Sequence, residues 1–148
     1  MLPINHQRIL GKLVFLIFSF VSKDEKGEVL IFPVNVVLSD NVEVQPDIVY
    51  ISKEKIGIIG EMAITGIPDL VVEIISPGSY RRDRYEKFRI YEEFKVKEYW
   101  IVLPGEKVIE VWCLKEDNYV LHSIAAEKGE VESCILKGLK VKVEEVFK

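Results

Sequence analysis

Apolar residues recur along this chain in three patterns, and each predicts a different kind of element. Between His6 and about Val21, the residues Ile9, Leu13, Leu16, Ile17 and Phe20 fall at helical spacing, with Val14, Phe15 and Phe18 widening the stripe. That predicts a first helix covered on most sides, capped by Asn5 and ended by the turn cluster Lys23-Asp24-Glu25-Lys26-Gly27. Val and Ile then dominate. Residues 28–38 and 42–52 read as two strands of a hairpin about Ser39-Asp40-Asn41, with Pro33 marking an edge position or a bulge. Residues 53–67, punctuated by Gly57, Gly60 and Gly66, read as a loop or a short helix.

The third pattern is an apolar run with one acid inside it. In residues 70–76, Val71, Val72, Ile74 and Ile75 surround Glu73, as in a strand covered on both faces. An ionised Glu there costs several kcal/mol unless it has a partner or a metal. The run ends at Ser76-Pro77-Gly78-Ser79, and a charged segment with helical periodicity follows over residues 80–95, with Ser79 as its predicted cap. Residues 97–103 and 108–114 then read as a strand hairpin about Pro104-Gly105-Glu106, residues 118–124 as a further strand, and residues 139–147 as a short strand with a terminal turn. Helix, three strands, helix and more strands make a mixed α/β chain with a central sheet.

Strand alternation puts Asp69, Val71, Glu73 and Ile75 on one face. Asp69 lies about 13 Å from Glu73, too far to share an ion with it. Asp47, which follows Pro46 at the mouth of the preceding strand, can approach Glu73 to about 5 Å if the register allows. Two strand-borne carboxylates and a carbonyl, completed by water, suit Mg²⁺. On the following helix Tyr80, Asp83, Lys87, Ile90, Tyr91 and Phe94 share the apolar face, so Lys87 points inward, where it could stabilise a phosphoryl transition state. Arg81, Arg82, Arg84 and Arg89 cover the remaining surface, where they could grip phosphates. Plainer readings stand beside these. Asp83 and Lys87 form an i, i+4 ion pair, and the arginines alternate with Glu86, Glu92 and Glu93 as in a solvated face. Asp47 suits a strand-end turn, and His6 suits a surface or capping position.

Composition narrows the classes. At 148 residues and 17.1 kDa, with 49% hydrophobic and 30% charged residues, the chain predicts one globular domain over residues 1–148. The densest apolar run, residues 13–21, is shorter than the roughly 20 residues that span a bilayer, and no cleavage site follows it, so a cytoplasmic protein without a membrane partner is expected. Cys113 and Cys134 have neither metal-ligand spacing nor a framework pattern, which predicts reduced thiols. The net charge of −4 argues against a general nucleic-acid coat protein but leaves room for a local basic patch.

The segments QPDIVYI, GIPDLVVEIISPGS, RRDRYEKFRIYEEFKVKEYWIV and LKGLKVKVEEVF resemble the Uma2 family of endonucleases, formerly a domain of unknown function, within the PD-(D/E)XK nuclease superfamily. The resemblance implies a restriction-endonuclease-like αβββαβ core, a central mixed sheet flanked by helices. It implies Asp47 and Glu73 as catalytic metal ligands, with the main-chain carbonyl of Ile74 as a third. The superfamily's lysine two residues after the acid is replaced here by Ile75. Lys87 then looks like the migrated replacement, with Asp83 one turn earlier orienting it or assisting the metal. The implied activity is a Mg²⁺-dependent DNA endonuclease, with Mn²⁺ as substitute cation, hydrolysing phosphodiester bonds by metal-activated water. Arg81, Arg82 and Arg84 would bind the nucleic acid, His6 would be accessory, and a homodimer is favoured. Two other readings remain open: a catalytically degenerate nuclease-fold binding or regulatory module, and a homodimer assembled through an exposed aromatic hairpin between Tyr99 and Trp112.

Overall fold

The computed structural model describes residues 2–76 and 80–148, with the backbone alone for residues 80–83. The first helix, α1 (Ile4–Lys23), starts earlier than its apolar stripe suggests. Pro3, held in extended geometry at φ −61° and ψ 151°, is the residue before the helix, and Asn5 lies inside the first turn without capping it. Ile9, Leu13 and Ile17 are buried, each stabilising the fold by roughly 1.5–3 kcal/mol. Phe15 and Phe18 are instead 70% and 54% exposed, so the covered stripe is narrower than predicted. Length and composition alone would let α1 cross a membrane, but its apolar stripe lies against the sheet.

The two long strands expected next are each divided at a proline. β1 (Gly27–Ile31) ends before Pro33, and β2 (Val36–Ser39) resumes beyond it; β3 (Val42–Val44) ends before Pro46, and β4 (Ile48–Ser52) follows. Proline has no N–H for a ladder, which is why pairing stops there. The result is a nested pair: β1 with β4 outside, β2 with β3 at the tip. The tip joins β5 (Ile64–Thr65), after a 3₁₀ turn at Lys53–Ile58, in a small sheet of order β3-β2-β5. Gly27 has φ 151°, and a Cβ there would run into the Ile51 carbonyl of the paired strand.

Then come β6 (Leu70–Ile74), α2 (Tyr80–Glu93), β7 (Glu98–Leu103), β8 (Val108–Lys115) and β9 (Asn118–Ala126). The chain closes through β10 (Glu130–Glu132), β11 (Lys140–Lys142) and α3 (Val143–Phe147). The main sheet runs β1-β4-β6-β7-β8-β9, parallel between β6 and β7 and antiparallel elsewhere. A parallel pair needs a crossover, which α2 supplies. With α1 ahead of β1, β4 and β6, the expected αβββαβ order is present. Val72, Ile74, Trp100 and Val102 pack with α1 and α3 on one face, while Val71, Ile75, Tyr99 and Ile101 pack with Tyr91 of α2 and the small sheet on the other.

Two expectations are corrected in the β7–β8 region. Tyr99 and Trp100 are fully buried, so they form no exposed aromatic hairpin for assembly. Cys113 and Cys134 form a disulfide with Cα atoms 6.6 Å apart, where free thiols were expected. The cause is Glu98, paired with Cys113 in the β7–β8 ladder and fully buried. Its Oε1 accepts from the Ser133 hydroxyl at 2.9 Å and the backbone N–H groups of Cys134 and Ile135 at 3.0 and 2.9 Å. Its Oε2 accepts from the Trp100 indole at 2.6 Å. These bonds hold the segment after β10 at β7, beside Cys113 of β8, which no local spacing foretells. A loop with a sequence separation of 21 closed by this bridge contributes about 3 kcal/mol in the chain-entropy account. Urea unfolding with and without reductant should differ by about that amount, and coincident curves would show that the bridge adds nothing.

Candidate active site

Asp47 sits one residue before β4, where the backbone still belongs to the sheet: its N–H donates to the Val72 carbonyl at 3.1 Å, and its carbonyl accepts from Phe32 at 2.9 Å. The ladder pairs Ile48 with Val72, so Asp47, just before β4, lies at the end of the sheet where β6 carries Glu73. The two acids therefore meet at one end of the sheet, where each feels the charge of Lys87 on α2. This is the convergence the sequence predicts. Asp69 is buried elsewhere, accepting from the Ser52 N–H at 2.7 Å with Lys97 at 3.7 Å.

Each acid has its own donors. Asp47 Oδ2 accepts from the Ile74 N–H at 2.7 Å, and Oδ1 lies 3.1 Å from His6 Nε2. His6 is 5% exposed, so the surface or capping role is corrected: the first turn of α1 delivers an imidazole to the acid. Glu73 Oε2 accepts from the Lys87 amine at 3.1 Å and the Tyr91 hydroxyl at 2.6 Å. Tyr91 is one helical turn after Lys87, so the two descend together from one face of α2 onto the same oxygen. Sequence periodicity placed Tyr91 on that face but assigned it no role.

Burial sets the electrostatics. Desolvation pushes the Glu73 carboxyl up to about 7, opposed by Lys87 and reinforced by the negative charge of Asp47. Burial also raises Asp47, against the Ile74 N–H, His6 and Lys87. The Tyr91 hydroxyl is held well above its usual range by burial and by the Glu73 charge beside it, so it remains a donor. Two acids kept from water in this way accept an additional positive charge readily.

The fit of a divalent cation follows from the donor chemistry. In an extended strand a residue's N–H and C=O point to the same side. Since the Ile74 N–H points to Asp47, its carbonyl opens on the same flank, beside both carboxylates. Asp47, Glu73 and the Ile74 carbonyl form an all-oxygen set of the kind Mg²⁺ and Mn²⁺ take. Lys87, bonded to Glu73, has 29% of its side chain exposed to solvent.

The arginines divide. The side chains of Arg81, Arg82 and Asp83 lie outside the described residues, as does Ser79. Arg84 is engaged within the protein: its Nη2 donates to both oxygens of Glu110 at 2.8 and 3.0 Å, and the Trp112 indole donates to Glu110 Oε1 at 2.9 Å. Glu73, Ile101 and Glu110 occupy one row across β6, β7 and β8, so Arg84 and Lys87 dock α2 on the same line of the sheet. Sequence reasoning missed Glu110; its place inside the apolar run of β8 was the available signal.

A carboxyl whose pKa is higher folded than unfolded stabilises the fold while protonated. That contribution is full below the unfolded value of 4.5 and is lost as pH rises through about 7. Without divalent cation, stability should fall by on the order of 3 kcal/mol over that window on account of Glu73, and Glu73→Gln should flatten the slope. Urea titrations at stepped pH measure this, and equal slopes in both proteins would contradict it. Tyr91→Phe removes a bond that favours the ionised form, so the Glu73 midpoint followed by carboxyl NMR should move upward; a fall would contradict the assignment.

Comparison with known proteins gives the fold and the family. No curated protein matches the chain significantly. Among solved structures, one titled "Crystal structure of a putative nuclease belonging to DUF820", from Anabaena variabilis ATCC 29413, has a TM-score of 0.80 at 18% identity. The alignment covers 99% of this chain and 82% of that one, and shows the same fold. The Uma2 family, described as "Putative restriction endonuclease", matches residues 1–144. That span contains α1 with His6, the two acid-bearing strands and the lysine-bearing helix, and the chain belongs to the Uma2 family.

Proposed function

We propose that the protein is a divalent-metal-dependent endonuclease acting on DNA. The observation that carries this is the meeting of Asp47, Glu73 and Lys87, with the Lys87 amine 3.1 Å from the Glu73 carboxylate although it comes from the helix after the strand. This reach is what an amine must have to replace the lysine whose strand position is filled by Ile75. It favours a working site over a degenerate one.

Asp47, Glu73 and the Ile74 carbonyl would hold the cation. When bound, Mg²⁺ or Mn²⁺ supplies a lowered water pKa and positive charge beside the phosphorus. The protein's own groups do the rest. His6 and the Ile74 N–H fix the two oxygens of Asp47 so that the carboxylate does not rotate. Tyr91 fixes Glu73 in the same way. Lys87, partly exposed, can donate to an incoming phosphate oxygen without leaving its helix position, and so offset charge where it grows in the transition state. Arg81 and Arg82 remain candidate phosphate contacts, whereas Arg84 would first have to leave Glu110.

Supercoiled plasmid incubated with the native protein should be nicked in Mg²⁺ or Mn²⁺ and spared in EDTA. Asp47→Asn should abolish cutting. Lys87→Met should lower kcat by about 10²- to 10³-fold, the usual cost of removing one transition-state donor, while leaving metal affinity within a few-fold. Equal nicking by native protein and Asp47→Asn would overturn the proposal.

A further inference from the structure

The outer side of α1 carries a second stripe, turned away from the sheet. Ile4, Arg8, Gly11, Phe15, Phe18 and Ser22 are all exposed, and successive members are four, three, four, three and four residues apart. On a helix they fall within about 80° of one another, opposite the buried Leu13 and Ile17. Alternating steps of four and three are the repeat of a helix that packs lengthwise on another helix. Ile4, Phe15 and Phe18 are 69%, 70% and 54% exposed, so the chain itself leaves these apolar groups in water. Gly11 has no explanation within the chain either. A Cβ there meets nothing within 4 Å, and glycine in a helix interior is less favourable than alanine.

We propose that α1 pairs antiparallel with α1 of a second copy, about a two-fold axis level with Leu13. In that register every position of the stripe finds a partner: Gly11 meets Phe15, Arg8 meets Phe18 and Ile4 meets Ser22, each pair made twice. Any other antiparallel register leaves at least two of the six unmatched. Two of the pairs set a large side chain against a small one, and the third sets a guanidinium against an aromatic ring.

The groove beside Gly11 supplies the seat for the Phe15 ring of the second copy. Its volume is about 590 Å³, and it is bordered by Arg8, Gly11 and Phe15 and by Glu145 and Lys148 at the end of the chain. Among the described residues neither Arg8 nor Glu145 has an ion-pair partner. The Lys12 amine donates to the Lys148 carbonyl at 2.7 Å, which keeps the end of the chain level with the axis. The two-fold operation leaves α3 of both copies on one side of the paired helices, so Glu145 of each comes beside the basic groups bordering the other's groove. A stripe about 27 Å long and a helix width across covers on the order of 600 Å² over both copies before side-chain relief is counted. That is toward the low end of specific interfaces and suits a weak dimer. A lipid surface fits less well, because Arg8, Gly11 and Ser22 interrupt the apolar stripe. His6 lies on the opposite side of α1, so the pairing leaves the acids uncovered and does not rest on the nuclease reading.

Sedimentation equilibrium of the full chain should show the mass rising from 17.1 kDa toward twice that value, with a dissociation constant on the order of 10 μM. Gly11→Phe fills the seat and should weaken the pair at least about tenfold. Adding Phe15→Ala to it exchanges the large and small partners and should bring the affinity back to within a few-fold of native. Should Gly11→Phe fail to fold by circular dichroism, Arg8→Glu should weaken the pair about tenfold by removing both contacts with Phe18. A chain that stays monomeric at roughly fifty times that constant, a dimer that these variants leave intact, or no recovery in the double variant would overturn the proposal. So would a monomer that binds phosphatidylglycerol vesicles through Phe15 and Phe18, which would give the stripe to a lipid surface.

Discussion

Two carboxylates held side by side out of water govern this end of the sheet. Asp47, just before β4, and Glu73, on β6, lie buried at the same end of the sheet, close enough for the charge of one to raise the other, and two ionised acids so placed repel in a poorly solvated setting. The surroundings offset that repulsion with directed donors: an imidazole and a backbone N–H for one acid, an amine and a phenol for the other. A fold seeking stability alone would place apolar residues at both positions. The cation proposed above would give both acids a role.

The same logic fixes the helix. α2 meets the sheet through aromatic edges, with Phe88 against Trp112 and Tyr119 at 5.0 and 5.2 Å and Tyr91 against Tyr99 at 4.9 Å. Packing of that kind tolerates small rotations, whereas directed bonds do not. Lys87 and Tyr91 reach Glu73, Arg84 reaches Glu110, and Glu92 accepts from the Tyr119 N–H at 2.8 Å. With three carboxylates tying the helix to three different strands, the Lys87 amine has little choice of position.

How much of this was legible in the sequence depends on the range of the interaction. Glu73 announced itself because a lone acid in a β-branched run has no local explanation, and Lys87 because helical periodicity is local. The αβββαβ order followed from strand and turn signals together with the family resemblance. His6 was undervalued because its partner is 41 residues away in sequence (47 − 6) and nothing near it marks the contact. The Cys113–Cys134 bridge and the Glu98 network failed for the same reason: they depend on where the segment after β10 lands, which tertiary packing decides. Asn5 lost the capping position to Pro3, whose fixed φ suits the extended residue before a helix. The broken strands reflect Pro33, read as an edge position or a bulge, and Pro46, read within a strand, where both interrupt the pairing.

The most direct test of the account is the anomalous difference map of a crystal soaked in Mn²⁺. The account predicts a peak about 2.1 Å from oxygens of Asp47 and Glu73 and from the Ile74 carbonyl, with the Lys87 amine outside the coordination shell. At saturating Mn²⁺, no peak there, or a cation bound away from both acids, would contradict it.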